Sequence, residues 1–361
     1  KLHQDLGIPV GIIQRAYAGT PIEGWLPWKQ QQHDRRSKAL KKLLEDTALR
    51  LAEKRGETAS KAIAAFESEL ATYNTKVDTG ETMKNKFKPL SPPIITRPAT
   101  LGHQFPSNIF NAMVEPIAPY GIRGIIWYQG ERNSKNVPQA MHYQQQIKTL
   151  IHFYRRHWNQ RSEGHMPENF PFQITQLPSW HAPQSEPVEG LESPWVVTRE
   201  AMRLARENIP NTFMAVSIDT GDAVELHPKN KKPIGIRHAL IALQNTYGKN
   251  VIGEGPRYQS HTVHDGTVLV EFASIGSGLR AARSTGLNTF AIAGSDRVWH
   301  WANAQIKGNK VIVSSPEVID PVAVRYAWGM NPSQRNLLYN VEGLPASPFR
   351  TDGWELVDPE A

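Results

Sequence analysis

A histidine preceded by several acids lies in the segment DTGDAVELHPKNK, residues 219–231. Asp222 and Glu225 come shortly before His227, and Pro228 after it favours a turn over a helix. A histidine acts as a general base when a carboxylate fixes its tautomer and stabilises the imidazolium that forms. The segment therefore predicts a catalytic histidine with an acid partner. The alternative is a surface histidine among solvated acids.

A second polar segment, QGERN at residues 129–133, ends the apolar run 122–128. A glycine at a strand end lets the backbone approach a ligand closely, and an asparagine amide can donate to a developing oxyanion. The Trp-Tyr pair just before the segment offers an aromatic face to a sugar ring. An ordinary Gly- and Asn-rich loop is the alternative. The pattern predicts substrate-binding or oxyanion roles for Gln129, Gly130, Glu131 and Asn133.

A third candidate is QRAYAGTPIEGW, residues 14–25. Gly19 follows the apolar run 8–13, which we interpret as a buried strand, so its N–H could complete an oxyanion hole. Trp25 and Trp28 could line a sugar site. A tight strand-to-helix turn with packed tryptophans is the alternative.

Metal chemistry has one weak candidate, the string HTVHD with His261, His264 and Asp265. It lies away from the other polar segments, and the chain has no cysteine, which removes thiolate ligands and cysteine nucleophiles. We therefore expect no metal and no organic cofactor.

The polar segments follow apolar runs that alternate with helical patterns. The runs 122–128, 170–177 and 213–218 are separated by helix-like stretches at 142–158, 196–207 and 234–247. This alternation predicts an α/β fold, a parallel sheet covered by helices on both faces. Ligands of such sheets bind at the carboxyl ends of the strands, where this sequence has RAYAGTPIEGW, QGERN, PSWH and DTGDAVELHP.

Two regions depart from the alternation. Residues 29–98 form an insertion whose apolar residues recur every three or four positions, which predicts an amphipathic helix pair or one helix broken near Gly56. A helix packed on its own domain is the simpler interpretation, and a partner-binding coiled coil is the alternative. After about Tyr258, short alternating runs predict an antiparallel β region. We thus expect an α/β domain at 1–257 and a β-rich region at 258–361.

The charge of the chain is concentrated in the insertion. The net charge is +7, and residues 29–88 hold 14 basic and 9 acidic residues. These basic residues alternate with acids and lack the interleaved aromatics of a nucleic-acid stacking surface. No run of about 18 apolar residues occurs. We expect neither a nucleic-acid partner nor a membrane-spanning helix.

Several strings together resemble one family. GIPVGIIQRAYAGTPIEGW, PYGIRGIIWYQGERN, PNTFMAVSIDTGDAVELHPKNK, PVAVRYAWGMNP and LPASPFRTDGW resemble, in order, the sialate O-acetylesterase family of SGNH hydrolases. The resemblance runs from end to end except for the helical insertion. It implies a three-layer α/β/α, flavodoxin-like fold.

The resemblance also implies roles for single residues. His227 is similar to the family's catalytic histidine, Gly19 to its oxyanion glycine and Asn133 to its conserved-block asparagine. The acid is Glu225 first and Asp222 second, since the family has an aspartate two residues before the histidine. The family's SSWGGT is RAYAGT here, which alters the turn before Gly19.

The family's nucleophile is a serine in a GQSNM-like segment, and no GQSNM, GDS or GxSxG string occurs in this sequence. We expect that serine on a missing N-terminal segment of the same protein, and little activity from this chain alone.

The function implied is hydrolysis of O-acetyl esters on sugars by a serine, histidine and acid mechanism, with an acetylated carbohydrate as partner. A catalytically silent carbohydrate-binding protein of the same fold is the alternative. The resemblance also suggests an exported or periplasmic protein.

Overall fold

Three parallel strands form the sheet that carries the candidate residues. They are β1 (Ile125–Trp127), β2 (Phe172–Thr175) and β3 (Thr212–Ala215), paired in the order β1-β2-β3. In the computed structural model, Trp127 of β1 pairs with Ile174 of β2, and Ile174 pairs with Met214 of β3. The parallel sheet predicted from the three apolar runs is confirmed.

The structure describes residues 1–78, 100, 102–189, 193–284 and 286–356. The chain divides into two compact units. One contains Lys1–Ile22 and Ile117–Ala361, and the other is Glu23–Pro116. The boundary that we expect near residue 257 stays a proposal.

As the alternating pattern predicts, helices follow the strands, and the described residues form six α-helices. They are α1 (Leu2–Leu6), α2 (Trp28–Gln31), α3 (Arg35–Asp78), α4 (Val137–Arg161), α5 (Pro194–Asn208) and α6 (Lys232–Asn245). Short 3₁₀ turns lie at Ile22–Trp25, Glu115–Ile117, Glu131–Asn133 and Pro332–Gln334, and a π-helical turn at Phe110–Val114. α4 and α5 pack on each other, while α6 contacts β2 and β3. The α/β/α fold class is confirmed.

A buried histidine on α6 makes polar contacts that position this helix on the sheet. His238 on α6 is buried, with its ring nitrogens 2.8 Å from Oγ1 of Thr175 and 2.9 Å from Oε1 of Gln173. Alternate residues of a strand point to the same face, so both β2 side chains face α6. Burial lowers the pKa of His238 to about 4, which keeps the imidazole neutral at physiological pH.

The buried strand expected at residues 8–13 is absent. These residues have no strand conformation and are largely exposed, with Ile12 at 89%. An apolar run becomes a strand only when a neighbour takes its backbone hydrogen bonds, and none of the strands in the described ranges pairs with it. Ile126 of β1 is exposed as well, at 58%.

In the described part of the insertion, through residue 78, one long helix is present where a helix pair or a broken helix was expected. α3 runs without interruption through Gly56, so the expected break there is wrong. A single glycine inside a helix costs only about 1 kcal/mol relative to alanine, which the surrounding helix-forming residues outweigh. The Pro-rich return at residues 89–98 lies outside the described residues.

The predicted antiparallel β region follows α6. Its strands are β4 (Arg257–His264), β5 (Thr267–Ala273), β6 (Leu279–Ala281), β7 (Phe290–Ala293), β8 (Trp299–Trp301), β9 (Asn303–Lys307), β10 (Lys310–Ser314), β11 (Ala323–Tyr326), β12 (Leu338–Asn340) and β13 (Phe349–Arg350). They form antiparallel sheets in the orders β4-β5-β10-β9, β13-β11-β7-β8 and β12-β6.

A buried arginine organises the second of these sheets. Arg325 on β11 is fully buried and makes a two-pronged ion pair with Asp352 at 2.8 and 2.9 Å. Its guanidinium lies 4.7 Å from the ring centre of Trp299 and 4.8 Å from that of Trp328. A buried charge is tolerated only when it is paired, and Arg325 has both an ionic and an aromatic partner.

None of the helices in the described ranges combines the length and the hydrophobicity that a membrane span requires.

Candidate active site

The candidate residues follow the carboxyl ends of three adjacent parallel strands. Residues 128–133 follow β1, residues 176–181 follow β2 and residues 216–231 follow β3. Because the strands are parallel neighbours, these segments leave the sheet at the same edge. The QGERN and DTGDAVELHP segments therefore lie at the same edge as a direct result of the sheet topology.

A buried amide network joins the QGERN segment to the turn that carries Gly19. Oδ1 of Asn133 accepts from the backbone N–H of Ile22 at 2.9 Å and from Nε2 of Gln129 at 2.8 Å. Nε2 of Gln129 also donates to the carbonyl of Thr20 at 3.0 Å. Asn133 is fully buried in this structure, so these contacts position the turn around Gly19.

Two buried aromatic residues, Tyr143 and Trp127, extend this hydrogen-bond network. The Tyr143 hydroxyl lies 3.0 Å from both the backbone and side-chain oxygens of Gln129, and it accepts from Nε1 of Trp127 at 3.0 Å. Each of these groups is buried, so leaving one unpaired would cost about 1–3 kcal/mol. The orientation of the Gln129 amide is thus fixed by the fold.

Two glycines explain the local backbone of these segments. Gly19 has a φ of +70°, a left-handed conformation that favours glycine. At Gly130 an added Cβ would lie 2.6 Å from Cε of Met202 and 3.2 Å from Cδ2 of Leu177. The backbone conformation favours glycine at position 19, and a Cβ at position 130 would require the end of the Met202 side chain to shift.

The segment after β3 is anchored at its start. Asp219 pairs with Arg237 of α6 through two contacts of 2.7 and 2.6 Å, and it accepts from the Tyr339 hydroxyl at 3.0 Å. Two residues later, a Cβ on Gly221 would lie 1.8 Å from the carbonyl oxygen of Ser179. Asp219 is thus a structural anchor, and Gly221 lets the segments after β2 and β3 touch.

The acid candidates differ in their surroundings. Oδ1 of Asp222 accepts from the backbone N–H groups of Glu225 at 3.0 Å and Val224 at 2.8 Å. These hydrogen bonds, the one from Glu225 first, lower the pKa of Asp222 below its usual value. Glu225 is exposed. Asp222 therefore shapes the turn that leads to His227.

His227 itself is exposed. Within the part of the chain that the structure describes, its ring makes no hydrogen bond to Glu225, Asp222 or Asn133. The catalytic assignments of His227, Glu225 and Asp222 stay predictions.

A cation–aromatic contact brings the His227 segment to the QGERN segment. Nζ of Lys231 lies 5.5 Å from the ring centre of Tyr128 and donates to the carbonyl of Pro228 at 3.1 Å. Burial, and then the carboxylate of Glu131, raise the pKa of Tyr128 to about 12. Lys231 thus contacts the residue just before Gln129, while its own backbone lies four residues from His227.

Sequence reasoning missed Trp180, which lies between the two segments. It follows β2 and forms a parallel backbone bridge with Asp222. Its partly exposed ring stacks 3.9 Å from His181 and packs 5.2 Å from the buried ring of Trp195. The string PSWH carried the signal, because an aromatic residue after a parallel strand lies at the ligand-binding edge.

A buried arginine that also went unrecognised holds this loop in place. Arg199 on α5 donates to the carbonyls of Leu177 at 2.9 Å and Pro178 at 2.6 Å. It also donates to Gly329 at 2.7 Å and Met330 at 2.8 Å. Burial lowers its pKa to about 9. Arg199 therefore ties the loop that carries Trp180 to the AVRYAWGMNP string.

The serines near this edge have structural hydrogen bonds. Ser134 Oγ donates to Gly130 at 2.9 Å, Ser179 Oγ donates to Ile218 at 2.5 Å, and Ser217 Oγ donates to the carbonyl of Gln176. Two of them, Ser179 and Ser217, are fully buried. None is hydrogen-bonded to His227, so these three serines are not arranged as its nucleophile.

The structure also shows the surroundings of Trp25 and of the histidines in HTVHD. Trp25 is only 6% exposed, so little of its ring surface is open to a ligand. In HTVHD, His261 Nδ1 lies 2.8 Å from the Tyr258 hydroxyl, whereas His264 Nδ1 lies 3.0 Å from Asp265. Among the described residues, no group of three or more histidine or acidic side chains is placed to hold a metal ion.

Comparison with known proteins gives one consistent result. The family model for carbohydrate esterase, sialic acid-specific acetylesterase, matches residues 100–243, which include Gln129, Asn133 and His227. Sialate O-acetylesterase of Rattus norvegicus is 27% identical over 96% of this chain and 61% of its own length. The Homo sapiens protein of that name is 30% identical over 67% of this chain and 48% of its own length.

A solved structure extends the likeness to the fold. A carbohydrate acetylesterase from Xanthomonas citri superposes with a TM-score of 0.71 and 29% identity, over 98% of this chain and 63% of that protein. The chain thus spans about half to two thirds of the length of these relatives. The family match, the sequence identities and the shared fold show that the chain belongs to the sialate O-acetylesterase family of carbohydrate esterases.

Proposed function

We propose that the protein removes O-acetyl groups from sugars, with His227 as the general base. One observation supports the proposal: contacts through Asn133, Gln129 and Lys231 connect three polar segments, and two of them follow β1 and β3 and leave the parallel sheet at the same edge. That edge is the ligand-binding position of this fold class. The relatives supply the reaction, since they are named sialate O-acetylesterase and carbohydrate acetylesterase.

The reaction begins with attack of a serine hydroxyl on the acetyl carbonyl carbon. His227 accepts the serine proton and then donates it to the sugar oxygen as the ester bond breaks. Water, deprotonated by the same histidine, attacks the acetyl-enzyme and releases acetate, which restores the serine. Glu225 is the first candidate for the acid that orients His227, and Asp222 is the second.

The backbone around Gly19 is the proposed oxyanion donor. Its left-handed conformation sits in a turn that the Gln129 and Asn133 amides hold at Thr20 and Ile22. A donor stabilises an oxyanion best when it is fixed before the reaction, because no reorganisation is then required. The two buried amides therefore act by positioning.

The serine is part of this proposal. Ser134, Ser179 and Ser217 at the edge are committed to backbone carbonyls, so we propose that the nucleophile comes from the GQSNM-like segment expected ahead of Lys1.

The partly exposed ring of Trp180 is the proposed contact for the sugar. Sugar rings present C–H faces that pack on aromatic rings, and Trp180 is held beside Asp222 by the backbone bridge.

Acetate release from an O-acetylated monosaccharide, followed by NMR with the full-length natural protein, tests the proposal. Turnover supports it. Sugar binding without acetate release would instead establish the silent carbohydrate-binding alternative. If turnover is found, Glu225→Gln and Asp222→Asn assign the acid, because loss of the true partner reproduces most of the defect of His227→Ala.

A further inference from the structure

The residue after Trp180 is an exposed histidine in an uncommon backbone conformation. His181 has a φ of +71°, in the left-handed region that residues other than glycine seldom adopt. Because His181 is exposed, packing of its side chain in the core does not select this conformation. Strained residues persist only where the surrounding structure holds them, and they concentrate at functional sites. His181 is therefore a candidate for a role in binding.

Hydrogen bonds to the turn at residues 330–331 hold the backbone on both sides of His181. Nδ2 of Asn331, which is only 1% exposed, donates to the carbonyl of His181 at 2.6 Å. The N–H of Trp180 donates to the carbonyl of Met330 at 3.2 Å, and the N–H of Gln184 donates to the carbonyl of Asn331 at 2.9 Å. A binding group on such a support is fixed before the ligand arrives, which lowers the entropy lost on binding.

The imidazole of His181 stacks on Trp180 through its face. The two ring centres lie 3.9 Å apart, with an angle of 34° between the ring planes. The nitrogens of an imidazole lie at the edge of the ring, so stacking does not use them. Within the ranges that the structure describes, neither ring nitrogen of His181 is hydrogen-bonded to another group of the protein. Both nitrogens can therefore bond to a ligand.

A sugar presents the two kinds of surface that this stacked pair complements. Its C–H groups pack on aromatic rings, and its hydroxyls both donate and accept hydrogen bonds. A neutral imidazole also has one donor and one acceptor, whereas lysine and arginine side chains only donate. The pair follows β2, and the backbone bridge from Trp180 to Asp222 places it at the same sheet edge as the segment of His227.

We propose that His181 is a specificity-determining residue: its imidazole hydrogen-bonds to a hydroxyl of the sugar that packs beside Trp180. This inference rests on the proposed function, because it uses the same site and the same sugar contact at Trp180. It adds a direct polar contact that reads the position of one hydroxyl. Sugar binding measured without hydrolysis keeps a failure of this inference distinguishable from a failure of the proposed reaction.

Titration of the full-length natural protein with sugars that an esterase cannot cleave tests the contact. The probes are acetamido analogues of O-acetylated glucose, xylose and N-acetylneuraminic acid, in which an amide replaces the ester. The analogue that binds most tightly should bind His181→Phe protein about three- to tenfold more weakly, because phenylalanine keeps the stack and loses the hydrogen bond. His264→Phe, at an exposed histidine on the β4–β5 hairpin, is the control and should bind like the unmodified protein. Equal affinity of His181→Phe protein, or no binding of any analogue to the unmodified protein, would overturn the proposal.

Deoxy versions of the same analogue separate a direct hydrogen bond from a structural effect of the substitution. Removing the hydroxyl that His181 contacts should weaken binding to the unmodified protein about three- to tenfold and should leave binding to His181→Phe protein unchanged. A merely structural effect would weaken every analogue by the same factor. If each deoxy sugar loses the same affinity in both proteins, another residue binds the hydroxyl and the role given to His181 is wrong.

Discussion

Lys231 lies with its Nζ 5.5 Å from the ring centre of Tyr128, and this contact brings the segment of His227 to the segment of Gln129. A partly exposed cation–π contact is worth about 0.5–1 kcal/mol. Lys231→Met removes the charge and keeps most of the stem, so we expect kcat/KM for an acetyl ester to fall about two- to fivefold. Lys249→Met, at an exposed lysine after α6, is the control and should have no effect. Equal losses in both variants would remove the positioning role from Lys231.

Gly221 tests whether the segments after β2 and β3 must touch. A Cβ there would lie 1.8 Å from the Ser179 carbonyl, so Gly221→Ala must displace backbone, and we expect a loss of about 2–4 kcal/mol in the free energy of unfolding. Gly235→Ala, inside α6 with open space around it, should instead gain up to about 1 kcal/mol. Urea unfolding measures both. A neutral Gly221→Ala would mean that the two loops are not in contact.

His238 predicts a pH dependence of stability. Its pKa is about 4 in the folded protein and higher in the unfolded chain, so the unfolded chain binds the extra proton between about pH 6.5 and 4. Stability contributed by the neutral buried imidazole is present above this window and is lost as the pH falls through it. The slope should reach at most about 1.4 kcal/mol per pH unit.

Urea unfolding at several pH values checks this slope, with His238→Gln as the comparison. The variant should be less stable at neutral pH but should lose less stability on acidification. If the two proteins have parallel pH profiles, His238 is not the group responsible.

Replacing Trp180 tests sugar recognition separately from ester hydrolysis. Removing an aromatic sugar contact weakens binding of the sugar but leaves a small ester unaffected, so Trp180→Ala should raise KM for an O-acetylated sugar about tenfold or more. The kcat/KM for p-nitrophenyl acetate should change by less than about threefold. Trp301→Ala, in the β region, is the control. An equal loss on both substrates would make Trp180 a structural residue only.

The sequence predicted the regular elements because their signals are local. The apolar runs of β1, β2 and β3 and the periodicity of α4, α5 and α6 depend on near neighbours along the chain. Residues 8–13 are also an apolar run, but strand formation requires a pairing partner as well, which composition does not encode. Gly56 failed as a helix break because a weak local preference was outweighed by its neighbours in α3.

The site was predicted only in part for the same reason. Gln129 and Asn133 were selected because they follow β1, and Gly19 because it follows residues 8–13, which are not a strand in the structure. The hydrogen bonds of Gln129 to Thr20 and of Asn133 to Ile22 bring the two segments together. The role of Arg199 depends on carbonyls more than 100 residues away in sequence, at Gly329 and Met330. No local pattern distinguishes such a buried arginine from an exposed one.

Replacement of His227 tests the central claim most directly. In the full-length natural protein, His227→Ala should lower kcat for an O-acetylated sugar by about a thousandfold or more, because only oxyanion and binding contributions remain. His264→Ala, an exposed histidine on the β4–β5 hairpin, should keep the original kcat. Undiminished turnover by folded His227→Ala protein would contradict the account and would assign the base to another residue.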